Sequence, residues 1–382
     1  MTNRPRLRSR RTLVVALAAA LIVVVGGVAA GVFWLSMRRS DTPVPGSASP
    51  ASCAPKTAMP KFQPASFKGI DYEFPTTVQG RYVGTEWLRA ENWAQTSQRL
   101  DADLTFLQQN HMGNVLRVFV GLDQLMVWDK NRGFVRFDPN ALKRFDEALS
   151  IFHRHGFQLV LVLYDQEDRS SAGNFHIAAL DGNHDQMRAN YLKATQLFMR
   201  QYGSTPGVLG WDLFNEAYNS LTADGGLPSA SSTSSDPVSP QYSTAVVHAW
   251  LRDLYAAAKC GAPQAWLTVS DATVIYGHDK PDLSKYADSV DFYDVHVYED
   301  QPQLQDWTAT LGKPVIIGEA GADEGSNHFD DQAYNAVAVH SVLVQGQQNQ
   351  VSAVLAHSDG SNVFTIDGHL TATGRVISSY GD

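Results

Sequence analysis

Only two cysteines occur in the chain, Cys53 and Cys260, and no acidic residue precedes Asp41. So few cysteines exclude a small disulfide-built scaffold and leave at most one internal bridge. No G-x-S-x-G nucleophile turn and no P-loop is present, which removes the commonest hydrolase and nucleotide signatures. Zinc spacings such as H-E-x-x-H or paired C-x-x-C are also missing. His176, His184 and Asp185, with Asp165 and Asp168, therefore read as surface polar residues on long loops, and no metal or other cofactor is expected. Charged residues make up only 18% of the 382, yet 44% are hydrophobic and 10% aromatic, too apolar for a disordered chain.

The formal net charge of −9 hides a division. Seven of the 30 basic residues are arginines within 1–40, so 41–382 hold 23 basic against 39 acidic residues, a net of −16. An acidic body excludes nucleic acid as a main partner, because phosphate binding needs a basic face. The arginines flank an uncharged run of 26 residues, 12–37, rich in Val, Ala and Leu. About 20 apolar residues cross the hydrocarbon of a bilayer, so this run predicts a transmembrane helix. Arg4, Arg6, Arg8, Arg10 and Arg11 precede it, whereas only Arg38 and Arg39 follow, which orients residues 1–11 to the cytoplasm. A cleaved signal peptide would be shorter and end in small residues, whereas this run ends Phe33-Trp34-Leu35. An uncleaved anchor with an extracytoplasmic body is the expectation.

Residues 38–66 are rich in Pro, Ser and Ala and read as an extended tether. Cys53 lies in it and could pair with Cys260 outside the membrane or remain a free thiol. Beyond it, 67–382 alternate short apolar runs with helical patterns. The runs fall at 67–72, 114–120, 158–164, 208–214, 264–269, 290–297, 315–318 and 351–356. They are continuous rather than alternating, as in strands covered on both faces. Asp138-Pro139 starts the clearest helix, which stops at Gly156, and others run over about 242–260 and 329–345. Eight strands with intervening helices predict a (β/α)8 TIM barrel. A doubly wound sheet is the alternative, but Gly69-Ile70-Asp71-Tyr72 is not its phosphate loop.

A barrel places its chemistry at the carboxyl ends of the strands. The fourth predicted strand ends Trp211-Asp212-Leu213-Phe214-Asn215-Glu216, and the seventh ends Ile316-Ile317-Gly318-Glu319. A Glu closing an apolar strand needs a reason, since a lone buried charge is costly. Strands four and seven face each other, so both carboxyls can flank one bond, as glycoside hydrolysis requires.

These segments resemble the retaining glycoside hydrolases of clan A, and most of all family 5, the cellulase and mannanase family. Asn215-Glu216 is similar to the acid/base segment. Gly113-Asn114-Val115-Leu116-Arg117 is similar to Gly-x-Asn-x-x-Arg, and His296-Val297-Tyr298 to His-x-Tyr. Lys313-Pro314-Val315-Ile316-Ile317-Gly318-Glu319 resembles the segment carrying the nucleophile. The resemblance implies catalytic roles for Glu216 as acid/base and Glu319 as nucleophile. It further implies that Arg117 and Tyr298 hold Glu319, that His296 lies near the acid/base, and that Asn215 binds the sugar 2-hydroxyl. The implied reaction cleaves a β-linked glucan or mannan by double displacement, without cofactor; with the anchor read from 12–37, a membrane-anchored monomer is the expectation. The chain departs from that family where strand eight ends Ala356-His357-Ser358-Asp359, without the usual Trp, and where strand three ends Tyr164-Asp165-Gln166, without His.

Trp87, Trp93 and Trp128 fall after strands one and two, where they would either stack on sugars or pack long loops. Trp211 and Trp266 read as core. The Ser-, Ala-, Gly- and Pro-rich stretch 219–241 reads as an insertion at the rim. Two rival functions carry different signatures: a carbohydrate-binding protein with a decayed site, and a metal-dependent polysaccharide deacetylase on the same barrel.

Overall fold

A computed structural model describes Cys53 and residues 58–74, 77–78, 81–82, 84–90, 92–131, 133–165, 185–218, 242–271, 283–299, 303–304, 307–322, 328, 331–358, 363–365 and 367–381. The candidate membrane run 12–37, the insertion 219–241, and His176, His184 and Asp168 lie outside them. No described helix is long and apolar enough to cross a membrane.

All eight predicted strands form. They are β1 (Lys68–Asp71), β2 (Val115–Phe119), β3 (Gln158–Val162), β4 (Val208–Asp212), β5 (Leu267–Thr268 and Ser270–Asp271), β6 (Tyr293–Tyr298), β7 (Val315–Gly321) and β8 (Ala353–His357). Every neighbouring pair is parallel, β8 pairs with β1, and the two halves of β5 pair with β4 and β6. The order therefore returns to its start around a barrel, interrupted only at Val269 inside β5. The continuous apolar runs follow from this closure, because β2, β6 and β7 are buried at every position.

The outer layer holds α1 (Trp93–Gln109), α2 (Pro139–Arg154), α3 (Asp185–Tyr202), α4 (Thr244–Gly261), α5 (Trp307–Leu311), α6 (Gln332–Gln348) and α7 (Ala372–Ser379). The start and stop signals read from sequence work as expected. The Asp138 side chain accepts from the Asn140 and Ala141 N–H groups. Gly156 sits at φ +69°, the left-handed conformation that terminates a helix and costs any other residue strain. Ser243 and Asp331 cap α4 and α6 in the same way.

The tether reading needs correction over its last residues. Phe62 is only 8% exposed and joins a cluster with Val115, Val160, Leu209, Phe292, Ile316, Ala353 and Leu355. None of these residues lies beyond the middle of its strand, and Phe292 precedes its own, so Phe62 plugs the bottom of the barrel. Its ring stacks on Phe292 at 4.6 Å and meets the edge of Trp266 at 5.1 Å. Trp266 is accordingly half-buried against this plug, with its Nε1–H donating to the Pro60 carbonyl at 3.1 Å. Pro- and Ser-rich composition hides the plug because one aromatic is enough to fill the barrel end. The folded body therefore begins ahead of residue 67.

Cys53 and Cys260 are bonded, with their Cα atoms 4.7 Å apart and a sequence separation of 207. The bridge ties the plug segment to the end of α4. Closing a loop this long removes unfolded-state entropy worth about 5 kcal/mol in the chain-entropy picture.

Candidate active site

The carboxyl ends of the strands converge on one guanidinium. Arg117 on β2 has no solvent exposure and faces four acids from four other strands. Its Nη1 lies 2.5 Å from Glu319 Oε1 and 3.1 Å from Asp71 Oδ1. Its Nη2 lies 2.8 Å from Asp212 Oδ2 and donates to Asn215 Oδ1 at 2.6 Å. Nε stands 3.4 Å from Asp294 Oδ2. A planar fork of five N–H donors can meet carboxylates on several sides at once in fixed directions, a geometry that the compact ammonium of a lysine does not offer.

Glu319 reaches this centre through an irregularity in β7. The register with β6 runs Val295 with Ile317 and then His296 with Glu319, so Gly318 is an extra residue. Such a bulge re-aims the side chain beside it. Glycine is required there, because a Cβ on Gly318 would lie 1.9 Å from Asp294 Oδ1. The Tyr298 hydroxyl donates to Glu319 Oε2 at 2.5 Å. Asp294, His296 and Tyr298 alternate along β6, so all three share the inner face.

Glu216 is held differently. Its backbone adopts φ +47°, a left-handed conformation costing about 1 kcal/mol or more for a residue with a Cβ. Its N–H donates to Ser270 Oγ on β5 at 3.0 Å, and the preceding Asn215 N–H donates to the Tyr164 carbonyl at 2.8 Å. The turn is thus pinned between β3 and β5. His296 Nδ1 lies 2.6 Å from Glu216 Oε1 and 3.4 Å from Glu319 Oε2. One ligand atom each of Glu216, His296 and Glu319 fall within 4.8 Å of one another. An oxygen of each carboxyl is thus within reach of the same bond, as in the close pairs of about 5–5.5 Å that act by double displacement.

The two carboxyls are biased in opposite directions. Burial raises the Glu216 carboxyl above its ordinary range, and the Glu319 charge adds to this, although His296 opposes it. Burial also disfavours the charged form of Glu319, but His296, Arg117 and His357, with the Tyr298 hydrogen bond, overcome it and hold Glu319 down to about 2. Burial would likewise neutralise His296, yet Glu319 and the Glu216 hydrogen bond push it up to about 9. Burial lifts Asp294 to about 7 against the attraction of Arg117. One carboxyl that retains its proton beside one that does not is the pairing for proton donation coupled to nucleophilic attack.

Arg117, Asn215, Glu216, His296, Tyr298 and Glu319 are brought together as expected. Trp87 is not part of the site and is corrected. It is 1% exposed, stacks on Phe74 at 4.2 Å, and donates its Nε1–H to the Phe119 carbonyl at 2.6 Å. Trp128 packs half-buried against Tyr191 and Phe134, with ring centroids at 5.7 and 6.5 Å, so the packing alternative describes it better than an open platform. Trp93 opens α1 with its Nε1–H on Glu147 Oε2 at 2.7 Å. Trp211 is core. Asp165 is also corrected, from a surface loop to a buried strand-three end, with Oδ1 accepting from Asn215 Nδ2 at 3.5 Å.

Sequence reasoning passed over Asp71, Asp212, Ser270, Asp294 and His357. Their one legible signal is a polar residue within or closing a strand at an inward position. His357 ends β8, where Nδ1 lies 2.8 Å from Asp71 Oδ2 and 3.8 Å from Glu319 Oε2. Ligand atoms of Asp71, Glu319 and His357 also cluster within 4.8 Å. Arg117 already faces two of those three residues, so positive charge at this point comes from the chain itself.

The sequence profile of the family Cellulase (glycosyl hydrolase family 5) matches residues 72–361. No curated protein sequence matches the chain. Among solved structures, the β-mannanase of the blue mussel Mytilus edulis is 16% identical, with a TM-score of 0.56 over 83% of this chain and 90% of that one. The endo-1,4-β-mannanase of Eisenia fetida is 15% identical, with a TM-score of 0.57 over 82% of this chain and 96% of that one. GH5_18 from Streptomyces cattleya, in complex with GlcNAc, is 15% identical, with a TM-score of 0.57 over 81% and 78%. At these identities the likeness to each structure is one of fold.

Proposed function

Because the chain belongs to glycosyl hydrolase family 5, and is therefore a retaining glycoside hydrolase, we propose that it cleaves a β-linked glucan or mannan with Glu319 as nucleophile and Glu216 as acid/base. One observation carries the assignment. Glu319 is gripped by Arg117 and Tyr298 in its ionised form, while Glu216, within reach of the same bond, favours its proton.

The steps follow from that asymmetry. Glu319 attacks the anomeric carbon as the glycosidic C–O bond breaks, and Glu216 delivers its proton to the departing oxygen. Water then enters, gives a proton to Glu216 and displaces Glu319, so configuration is retained. His296, bonded to Glu216 at 2.6 Å, steadies that carboxyl through both transfers. Asn215 Oδ1 is engaged by Arg117, which leaves its amide edge, beside Asp165, to meet the sugar 2-hydroxyl. Mannan is favoured over glucan because several of the fold neighbours are described as mannanases.

Aryl β-mannosides and β-glucosides with good leaving groups, followed by a panel of β-mannans and β-glucans, test this reading. Wild type should release aglycone and should prefer mannan. Glu216→Ala should be partly restored by azide, giving a glycosyl azide of retained configuration. A folded wild-type protein releasing nothing, or an azide product of retained configuration from Glu319→Ala instead, would overturn it.

We also propose that the run 12–37 anchors the chain in a membrane with the barrel outside the cytoplasm. The Cys53–Cys260 bridge supports an oxidising compartment. The full chain should stay with membranes through an alkaline wash, and thiol reagents should label it only after reduction. A soluble chain with two reactive thiols would contradict this.

A further inference from the structure

We propose that Asp71 and His357 are positioning residues that, with Arg117, close a ring of alternating charges around Glu319 and thereby favour its release from the glycosyl-enzyme. This rests on the reading of Glu319 as nucleophile.

The ring is visible atom by atom. Arg117 Nη1 touches Glu319 Oε1 at 2.5 Å and Asp71 Oδ1 at 3.1 Å. On the opposite side, His357 Nδ1 touches Asp71 Oδ2 at 2.8 Å and stands 3.8 Å from Glu319 Oε2. Each carboxylate thus offers one oxygen to the guanidinium and the other to the imidazole. Four strand ends supply the four members, β1, β2, β7 and β8, so backbone pairing rather than loop geometry sets the spacing. The His357 ring also meets Tyr298 edge-on at 5.7 Å, and its side chain is 12% exposed. It lies in the strand-eight end where the resembling family usually carries a tryptophan and this chain has none.

The groups facing His357 are Asp71, Glu319, Glu73 and Tyr298. Burial works against its charge, but Asp71 and Glu319 push it up to about 10, so His357 joins Arg117 as a second cation in the ring. Around Glu319 stand Arg117, His296, His357, Tyr298 and Glu216, with Asp71 and Asp294 behind Arg117.

Esterification of Glu319 removes one of those anions. Arg117 and His357 then face an uncharged ester, and the positive field they create is left without its partner. In the second step, water attacks the anomeric carbon and its proton passes to Glu216. The bond to Glu319 breaks, and the electron pair returns to the carboxylate, where both cations receive it. The field thus acts where charge develops. Deglycosylation gains from the imidazolium more than glycosylation does, because a well-stabilised carboxylate is a better leaving group and a weaker nucleophile.

Full-length His357→Gln tests this on a dinitrophenyl glycoside, with rapid-mixing kinetics. It should slow the second step relative to the first by about ten- to hundredfold, the range for losing one charged contact. An aglycone burst should appear or grow, and KM should fall with kcat. Carboxyl-carbon NMR of glutamate-labelled protein needs no substrate, and should show Glu319 titrating at higher pH in this variant, while imidazole NMR of Asp71→Asn should show His357 titrating at lower pH. Wild-type burst and steady-state behaviour, equal slowing of both steps, or an unmoved Glu319 titration would each overturn the ring. Absence of Glu319-dependent release from wild type would instead count against the proposed function, and the NMR titration would still decide the ring.

Discussion

Glu319→Gln is expected to lower kcat on an activated aryl glycoside by about 10⁴-fold or more, the scale on which removal of a covalent nucleophile is felt. The amide is close in shape and can still accept from Arg117 Nη1, which now lies 2.5 Å from Glu319 Oε1. Packing and substrate affinity should therefore change little, and the loss should fall on kcat. The amide has no charge to deliver to the anomeric carbon. Glu216→Gln is expected to be milder in kcat/KM on the same substrate, since a good leaving group needs little protonation, and to approach the usual 10²–10⁴-fold there only with poor leaving groups, whereas kcat should fall with every substrate because the second step loses its base. The pH dependence has a determined sign. Activity should rise as Glu319 ionises, with a midpoint of about 2, and fall when Glu216 loses its proton at a point raised above the usual carboxyl range. Steady-state kinetics against pH for the wild type and both variants would measure this. A Glu319→Gln enzyme within tenfold of wild type would remove the nucleophile assignment.

Arg117→Met should produce the largest effect on stability. The guanidinium is fully buried and is the shared partner of Asp71, Asp212, Asp294 and Glu319. Removing one side of a buried ion pair leaves an uncompensated charge and costs about 3–5 kcal/mol. Four acids share this one partner, so the loss should be at or above that range. In the wild type, Glu319 titrates at about 2 against an ordinary 4.5, so its contribution is present above about 4.5 and lost as pH falls towards 2. His296 and His357, raised from 6.5 to about 9 and 10, contribute fully below about 6.5 and lose that contribution as pH rises through those values. Without Arg117 the carboxyl sign reverses. The acids then bind protons more tightly in the folded chain than in the unfolded one, so stability should increase as pH is lowered from 7 to 5. Urea unfolding at both pH values would show it, with Arg117→Lys as an intermediate case that keeps charge but loses the fork. Unchanged stability at pH 7, or a variant whose stability does not rise between pH 7 and pH 5, would contradict this account.

The barrel was legible because closure buries both faces of each strand, and that pressure writes eight unbroken apolar runs into the chain. The helix limits at Asp138 and Gly156 were legible because caps and left-handed stops depend on one residue and its immediate neighbours. Glu216 and Glu319 stood out for a related reason, as acids placed where an apolar strand should simply end. Trp87 was not assignable from sequence. An indole after a strand can face sugar or core, and the Phe119 carbonyl that receives its N–H lies 32 residues away. Phe62 was obscured by the prolines and serines around it, although the cavity it fills exists only once all eight strands have met.

Local pattern, read along the chain, determined the strand–helix alternation, the strand-end location of the chemistry and the identity of its two principal carboxyls. Those properties follow from burial and capping, which act over a few residues. Which acid holds a proton and which does not was decided only by the tertiary structure. Arg117 meets Asp71, Asp212 and Glu319 across 46, 95 and 202 residues of chain, and His357 meets Asp71 across 286. Electrostatic bias depends on distance and burial in space, and neither is defined until the sheet has closed on itself.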